Sequence, residues 1–147
     1  MALSAGMICP RNLLLLACCA ASAFAFAAST PAARTVLVTG GAGYIGSHTC
    51  LELLEAENDY RVVVIDTLDN SCEESLERVK ELTGCDPDRI HFRNCDVRDK
   101  RGLCAVLDEF PDVSSCVHFA GLKAVGESVS KPLEYYDVNV AGTTNLL

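Results

Sequence analysis

Three glycines spaced Gly40-x-x-Gly43-x-x-Gly46 follow directly on the β-branched run Val36-Leu-Val-Thr39, and a carboxylate, Asp66, stands 20 residues past the last of them. Gly41, Gly43 and Gly46 also satisfy the G-x-G-x-x-G register. This spacing suits the chemistry of holding a dinucleotide. The first glycine allows a tight strand-to-helix turn, the second lets backbone approach a pyrophosphate, and the third lets the helix pack closely on the strand. The phosphates then lie at a helix N-terminus, where unpaired N–H groups and the dipole favour negative charge. An acidic residue at the distance of Asp66 is placed to accept hydrogen bonds from ribose hydroxyls. The alternative for Asp66 is a turn cap after a strand.

Arg61-Val-Val-Val-Ile-Asp66 reads as a buried parallel strand ending in that carboxylate. Thr67 follows it, with no arginine to receive a 2′-phosphate, so the reading favours NAD over NADP. Groups able to move protons are less well placed. His48 falls on the first helix and His118 within an apolar strand, both structural settings. Neither Tyr135 nor Tyr136 has a lysine four residues on; Asn139 and Val140 stand there. No catalytic residue is therefore assigned.

The elements that must carry these residues alternate from Arg34 onward. Strands are expected at Thr35–Thr39, Val62–Asp66, Ile90–Cys95 and Ser115–Ala120. Helices are expected at Tyr44–Ala56, with Leu51, Leu53 and Leu54 toward the sheet, then Cys72–Leu82, Lys100–Phe110 and Lys131–Leu147. Pro132 sits in the first turn of the last helix, and Gly84, Pro87, Pro111 and Gly121 punctuate the rest. Repeated βα units imply an α/β fold, a Rossmann-type doubly wound parallel sheet with strand order 3-2-1-4 for this half. Strand four then has an unpaired apolar edge, and Asn145-Leu146-Leu147 stops inside a helical pattern, so the chain reads as a truncated domain.

The 147 residues leave room for one domain, here residues 34–147, a partial NAD-binding domain behind a leader of residues 1–33. A net charge of −8 argues against nucleic-acid binding, which needs basic surface. In the leader Arg11 is the only charge, and the apolar run from Leu13 to Ala28 is short for a membrane span. Ala21-Ser22-Ala23 supplies an A-x-A cleavage site, the pattern of a secretory signal peptide. Ala21-Ser-Ala-Phe-Ala-Phe26 resembles the ASAFAP motif of leaders that send proteins into the secondary plastids of diatoms and related algae, with Phe26 in place of the proline. The alternatives are an uncleaved anchor or a start codon misassigned ahead of Arg34, the second of which implies the cytosol. Of the nine cysteines, Cys50, Cys72, Cys85, Cys95, Cys104 and Cys116 lie in the domain without a C-x-x-C pair or a histidine at zinc spacing. They read as reduced structural thiols, with Cys95 and Cys116 in strands and Cys50 and Cys104 on helices, and no metal site is expected.

The segment His118-Phe-Ala-Gly-Leu-Lys-Ala-Val-Gly-Glu-Ser-Val-Ser-Lys-Pro-Leu-Glu-Tyr-Tyr-Asp-Val-Asn-Val-Ala-Gly-Thr143 is more specific than the glycine loop. Together with Thr39-Gly-Gly-Ala-Gly-Tyr-Ile-Gly-Ser-His-Thr49 it resembles the UDP-glucose 4-epimerase family of extended short-chain dehydrogenases, from about Val36 to Leu147. The resemblance implies that Tyr44 and Ile45 present backbone to the pyrophosphate beside Gly40, Gly43 and Gly46. It implies that Asp66, Thr67, Leu68, Asp69, Asn70 and Ser71 wrap the adenosine ribose. Asp96 and Val97 would flank the adenine, with an N-cap-like turn role as the other reading of Asp96. Phe119, Ala120, Gly121 and Leu122 would line the cofactor trough, with Lys123 near its nicotinamide end. Val138 departs from the asparagine that this family often carries there; Asn139 either serves in its place or is structural.

The implied reaction inverts carbon 4 of a UDP-hexose and interconverts UDP-glucose and UDP-galactose. A tyrosine removes the 4-hydroxyl proton, NAD⁺ takes the hydride, and the 4-keto sugar receives it back on its other face. The family's tyrosine lies in a Tyr-x-x-x-Lys motif, which this chain lacks. The resemblance thus gives the chain the NAD half-site without the chemistry, the UDP-sugar pocket lying mostly beyond Leu147, and a full-length enzyme of a kind that commonly forms homodimers; the alternatives are another nucleotide-sugar epimerase or dehydratase of the superfamily, or a non-catalytic NAD-binding remnant.

Overall fold

Alternation with period two splits each central strand between two apolar layers. Val36 and Val38 of β1 (Thr35–Thr39) and Val62 and Val64 of β2 (Arg61–Asp66) face one side, while Leu37, Val63 and Ile65 face the other. The computed structural model describes residues 34–56 and 59–147; the expected leader lies outside the described residues. On the first face pack α1 (Tyr44–Glu55), through Cys50 and Leu54, and α2 (Glu74–Thr83), through Leu76 and Val79. On the second packs α3 (Lys100–Glu109), through Leu103 and Val106, with Phe110 and Val97 beside it. Val62, Val63, Val64 and Ile65 are wholly buried, as expected of a parallel strand covered on both faces.

The sheet has four parallel strands in the order β3-β2-β1-β4, with β3 at Ile90–Asn94 and β4 at Val113–His118. This is the Rossmann-type order expected. Register aligns the carboxyl ends: Thr39 lies beside Ile65 on one side and His118 on the other, and Asp66 lies beside Asn94. The loops that follow all four strands therefore open on one edge of the sheet. Gly84, in the left-handed region, stops α2, and the Asp99 carboxylate caps α3 by accepting from the Arg101 amide.

Several boundaries differ from expectation. Strand β4 runs Val113–His118 rather than Ser115–Ala120, because its partner β1 ends at Thr39 and Gly40 turns away with φ 67°. Cys95 stands just past β3 rather than in it, because β3 ends at Asn94 opposite Asp66, the last residue of β2. An unexpected short helix, α4 (Val125–Ser130), precedes Lys131, and the single closing helix expected from Lys131 is a series: α5 (Pro132–Tyr136), a π turn (Asp137–Ala141) and α6 (Gly142–Leu146). Pro132 does occupy the first turn of α5. The six cysteines of the domain are free; Cys50 and Cys95 are buried, but Cys72, Cys104 and Cys116 are exposed and pack no core. No helix among the described residues is long and apolar enough to cross a membrane.

Candidate dinucleotide site

The carboxyl edge of the sheet opens into a trough lined by the loops that follow all four strands. The strand order sets the sequence of its walls. From one end to the other they are Asp96–Arg98 after β3, Asp66–Asn70 after β2, the glycine loop after β1, and Phe119–Lys123 after β4. With strands about 4.8 Å apart, the three intervals span roughly 14 Å.

At the centre, Gly40 adopts φ 67°, and a Cβ there would come 2.7 Å from the Ala120 amide nitrogen, so only glycine lets the two walls meet. A Cβ on Gly46 would sit on the Gly40 carbonyl oxygen and 2.6 Å from Gly41 Cα, so this glycine lets α1 seat on the turn. Gly43 is the N-cap of α1 and offers no side-chain cap, and no acidic residue occupies the first turn. The first amides of α1 thus face the trough without a protein acceptor, while the Tyr44 and Ile45 side chains point outward, 79% and 60% exposed. A negatively charged group is what such a helix end accepts.

Asp66 is buried and serves two loops at once. Its Oδ2 accepts from the Ala42 amide at 3.0 Å, pinning the glycine loop, and its Oδ1 accepts from the Leu68 amide and the Ser71 hydroxyl, each at 2.9 Å. The turn-cap role is therefore real, and Asp66 still lines the trough with Thr67, Asp69 and Asn70. Leu68, at φ 62°, and Ser71 lie outside its lining. Their contribution is to fold the loop about the carboxylate.

Past β4, a directed chain of hydrogen bonds fixes the opposite wall. The Ala120 amide donates to Thr39 Oγ1 (3.3 Å), and Thr39 Oγ1 lies 2.6 Å from His118 Nδ1. His118 Nε2 lies 3.0 Å from Thr143 Oγ1, which donates to the Asn139 carbonyl (2.7 Å). With Thr143 donating onward, the consistent assignment is a neutral ring that donates from Nε2 and accepts at Nδ1. Burial pushes the His118 pKa down, which favours that state. Lys123 is exposed at the rim of the trough and has no salt-bridge partner among the described residues.

Residues 37–147 match the family described as GDP-mannose 4,6 dehydratase. The chain belongs to that family. Within it, the chain is 54% identical over 114 residues to UDP-glucose 4-epimerase 1 of Oryza sativa subsp. japonica, covering 78% of this chain and 31% of the relative. It is 53% identical over 108 residues to the UDP-glucose 4-epimerase of Bacillus subtilis (strain 168), covering 74% and 30%. A crystal structure of UDP-glucose 4-epimerase from Bifidobacterium longum in complex with NAD⁺ and UDP superposes with a TM-score of 0.70 at 47% identity, over 77% of this chain and 32% of that one. The chain spans about a third of the length of the curated relatives it matches.

This member of the dehydratase family lines its trough with more than sequence reasoning named. Ile65, Cys95, Arg98 and Glu134 also reach it. The tripeptide Asp96-Val97-Arg98 at a strand's carboxyl end was the available signal for Arg98; Glu134 carried none, because the face of α5 depends on how that helix docks. Val138 lines the trough, whereas the Asn139 side chain is taken up by the backbone of Leu122. His48 accepts its structural reading: its Nδ1 lies 2.9 Å from the Tyr44 carbonyl. The Tyr135 hydroxyl donates to the Ala124 carbonyl at 2.8 Å, and desolvation and Glu127 push its pKa up, the wrong direction for a base.

Proposed function

We propose that this chain binds NAD in the trough and forms the cofactor half of a UDP-glucose 4-epimerase. The order of the walls carries the reading. A carboxylate for a base, a carboxylate for a ribose, an uncapped helix N-terminus for a pyrophosphate and a lysine-bearing wall follow one another across the sheet. That is the order of groups in an extended dinucleotide, and the roughly 14 Å between outer strands suits its length. Asp66 favours NAD, because a 2′-phosphate would meet its negative charge.

In this reading Gly40, Gly43, Gly46 and the Tyr44 and Ile45 amides hold the pyrophosphate, and Asp66 with Thr67, Asp69 and Asn70 holds the adenosine ribose. Asp96 and Val97 flank the adenine, and Phe119, Ala120, Gly121, Leu122 and Lys123 bound the nicotinamide end. Bound NAD supplies a hydride acceptor and donor. The substrates are UDP-glucose and UDP-galactose, and the proton-transferring tyrosine belongs to the remaining two-thirds of the relatives' length. The match to a family described as a dehydratase favours, as a second reading, another nucleotide-sugar reaction that starts from the same hydride transfer. Residues 1–33 are, on this proposal, a targeting leader, which a reporter fused to residues 1–40 would send to a plastid.

The test is to titrate the purified chain with NAD and NADP, then assay UDP-galactose conversion in the protein that includes the missing Tyr-x-x-x-Lys part. Saturable NAD binding with UDP-glucose as product supports the proposal. A chain that binds neither dinucleotide overturns it, a deoxy-keto product selects the second reading, and residues 1–147 alone are expected to be inactive.

A further inference from the structure

The outer wall of the trough is one aspartate held by one arginine. The Arg98 amide donates to Asp96 Oδ1 at 2.8 Å, its Nε reaches Oδ1 and Oδ2 at 3.1 and 3.0 Å, and its Nη2 donates to Oδ2 at 2.6 Å. Both carboxylate oxygens are engaged, and this hydrogen bonding holds the Asp96 pKa below the usual carboxylate range. The remaining Nη1 reaches Asp137 Oδ2 on the π turn at 3.4 Å. The same helical stretch grips this wall twice more. Asn145 Nδ2 donates to the carbonyls of Val97 and Arg98 at 3.1 Å each, and Gly142 lies so close to Val97 that a Cβ would come 2.7 Å from its Cγ2.

A carboxylate has about four lone-pair positions, and the three Arg98 N–H groups occupy most of them. The acceptor direction left over is thereby fixed, where an unpaired aspartate half open to solvent would turn among its rotamers. The arginine also offsets a negative charge that would otherwise face an anionic ligand.

We propose that Arg98 is a positioning residue for the adenine end of the dinucleotide. It locks the Asp96 carboxylate in one orientation and, through Asp137, moors the Asp96–Val97–Arg98 wall to the helices that follow β4. The inference rests on the reading of the trough as an NAD site and adds a selectivity to it. A fixed carboxylate oxygen accepts from the 6-amino group of adenine and is repelled by the 6-oxo group of hypoxanthine.

The test compares NAD with nicotinamide hypoxanthine dinucleotide, titrated calorimetrically into the full chain, with thermal melting alongside. Wild type is expected to prefer NAD. Arg98→Met is expected to bind NAD about tenfold more weakly, the effect of losing hydrogen bonds to a charged group, and to lose the preference between the two bases. Arg98→Lys keeps the charge without the fork and recovers only part of both. Asp137→Asn retains the base preference and loses a few-fold in affinity.

Unchanged affinity and preference in Arg98→Met overturns the proposal, as does an equal loss for both dinucleotides with a lowered melting temperature. If Arg98→Met does not fold, a wild-type preference in Arg98→Lys overturns it. A wild type that binds NAD but does not discriminate between the bases overturns the inference and leaves the cofactor reading standing. A wild type that binds no NAD removes both.

Discussion

Asn139 clasps the backbone of Leu122 from both sides: its Oδ1 accepts from the Leu122 amide at 2.8 Å and its Nδ2 donates to the Leu122 carbonyl at 2.9 Å. The clasp ties the π turn to the loop after β4 and fixes the wall that carries Lys123. Asn139→Ala should cost about 1–2 kcal/mol, the loss of two hydrogen bonds at a partly solvated site. Urea unfolding midpoints measure it. NAD affinity is expected to fall several-fold in the same variant, since the wall loses its fixed height.

Gly43 and Gly46 are three residues apart and should respond differently to the same methyl group. Gly46→Ala drives a Cβ into the Gly40 carbonyl and the Gly41 backbone, and its cost should exceed the ~1–3 kcal/mol usual for overpacking. Gly43→Ala meets only the Gly40 carbonyl, at 3.3 Å, so the fold should persist, at the cost of about 1 kcal/mol that alanine carries at an N-cap. Its backbone faces the trough, so NAD binding should weaken at least tenfold. Circular dichroism and a cofactor titration on the two variants separate the roles.

Asp66→Ala should show a stability cost and a change of preference together. Its Oδ2 satisfies the buried Ala42 amide, and leaving that donor unpaired costs about 1–3 kcal/mol. Removing the charge should also narrow the gap between NAD and NADP, measured as the ratio of dissociation constants. A ratio equal to that of wild type would dismiss Asp66 as the source of selectivity.

His118 should make stability depend on pH in a window of its own. Burial lowers its folded-state pKa below the ordinary value of about 6.5. The stability this adds is complete above about pH 6.5 and is lost as the pH falls through the lowered value, where Nδ1 can no longer accept from Thr39. Asp96, held down by Arg98, and Glu109, held down by Arg93, lose their contributions only further into acid. Unfolding midpoints at pH 7.5 and 5.0 should therefore differ in wild type and converge in His118→Gln.

Local chemistry decided which parts of the fold could be read in advance. Strand β1 falls at Thr35–Thr39 as expected, and the order β3-β2-β1-β4 is the one expected of a Rossmann-type sheet whose first strand runs into a dinucleotide glycine loop. The apolar run around Cys116–Ala120 suggested a strand two residues too far along, because a strand ends where its partner ends, and that limit lies in β1. Helix α4 stayed hidden, since Gly126, Ser128 and Ser130 read as a loop while Val125 and Val129 remain exposed. The glycine loop and Asp66 were legible because backbone clearance and charge act within a few residues. Arg98 and Glu134 reach the trough only through the docking of elements distant in sequence, and no periodicity encodes that.

The central place of β1 joins it to its two neighbours through contacts of very different sequence span. Ala42 and Asp66, which join the glycine loop to the β2 wall, are 24 residues apart, whereas Thr39 and His118, which join β1 to β4, are 79 apart. Closing the longer loop costs more entropy and is slower. The ribose side of the trough can thus form while the lysine side is still unmade. A ligand that touches both sides stabilises only the chain that has completed the longer closure, so ligand retention would report that both walls of the trough are in place.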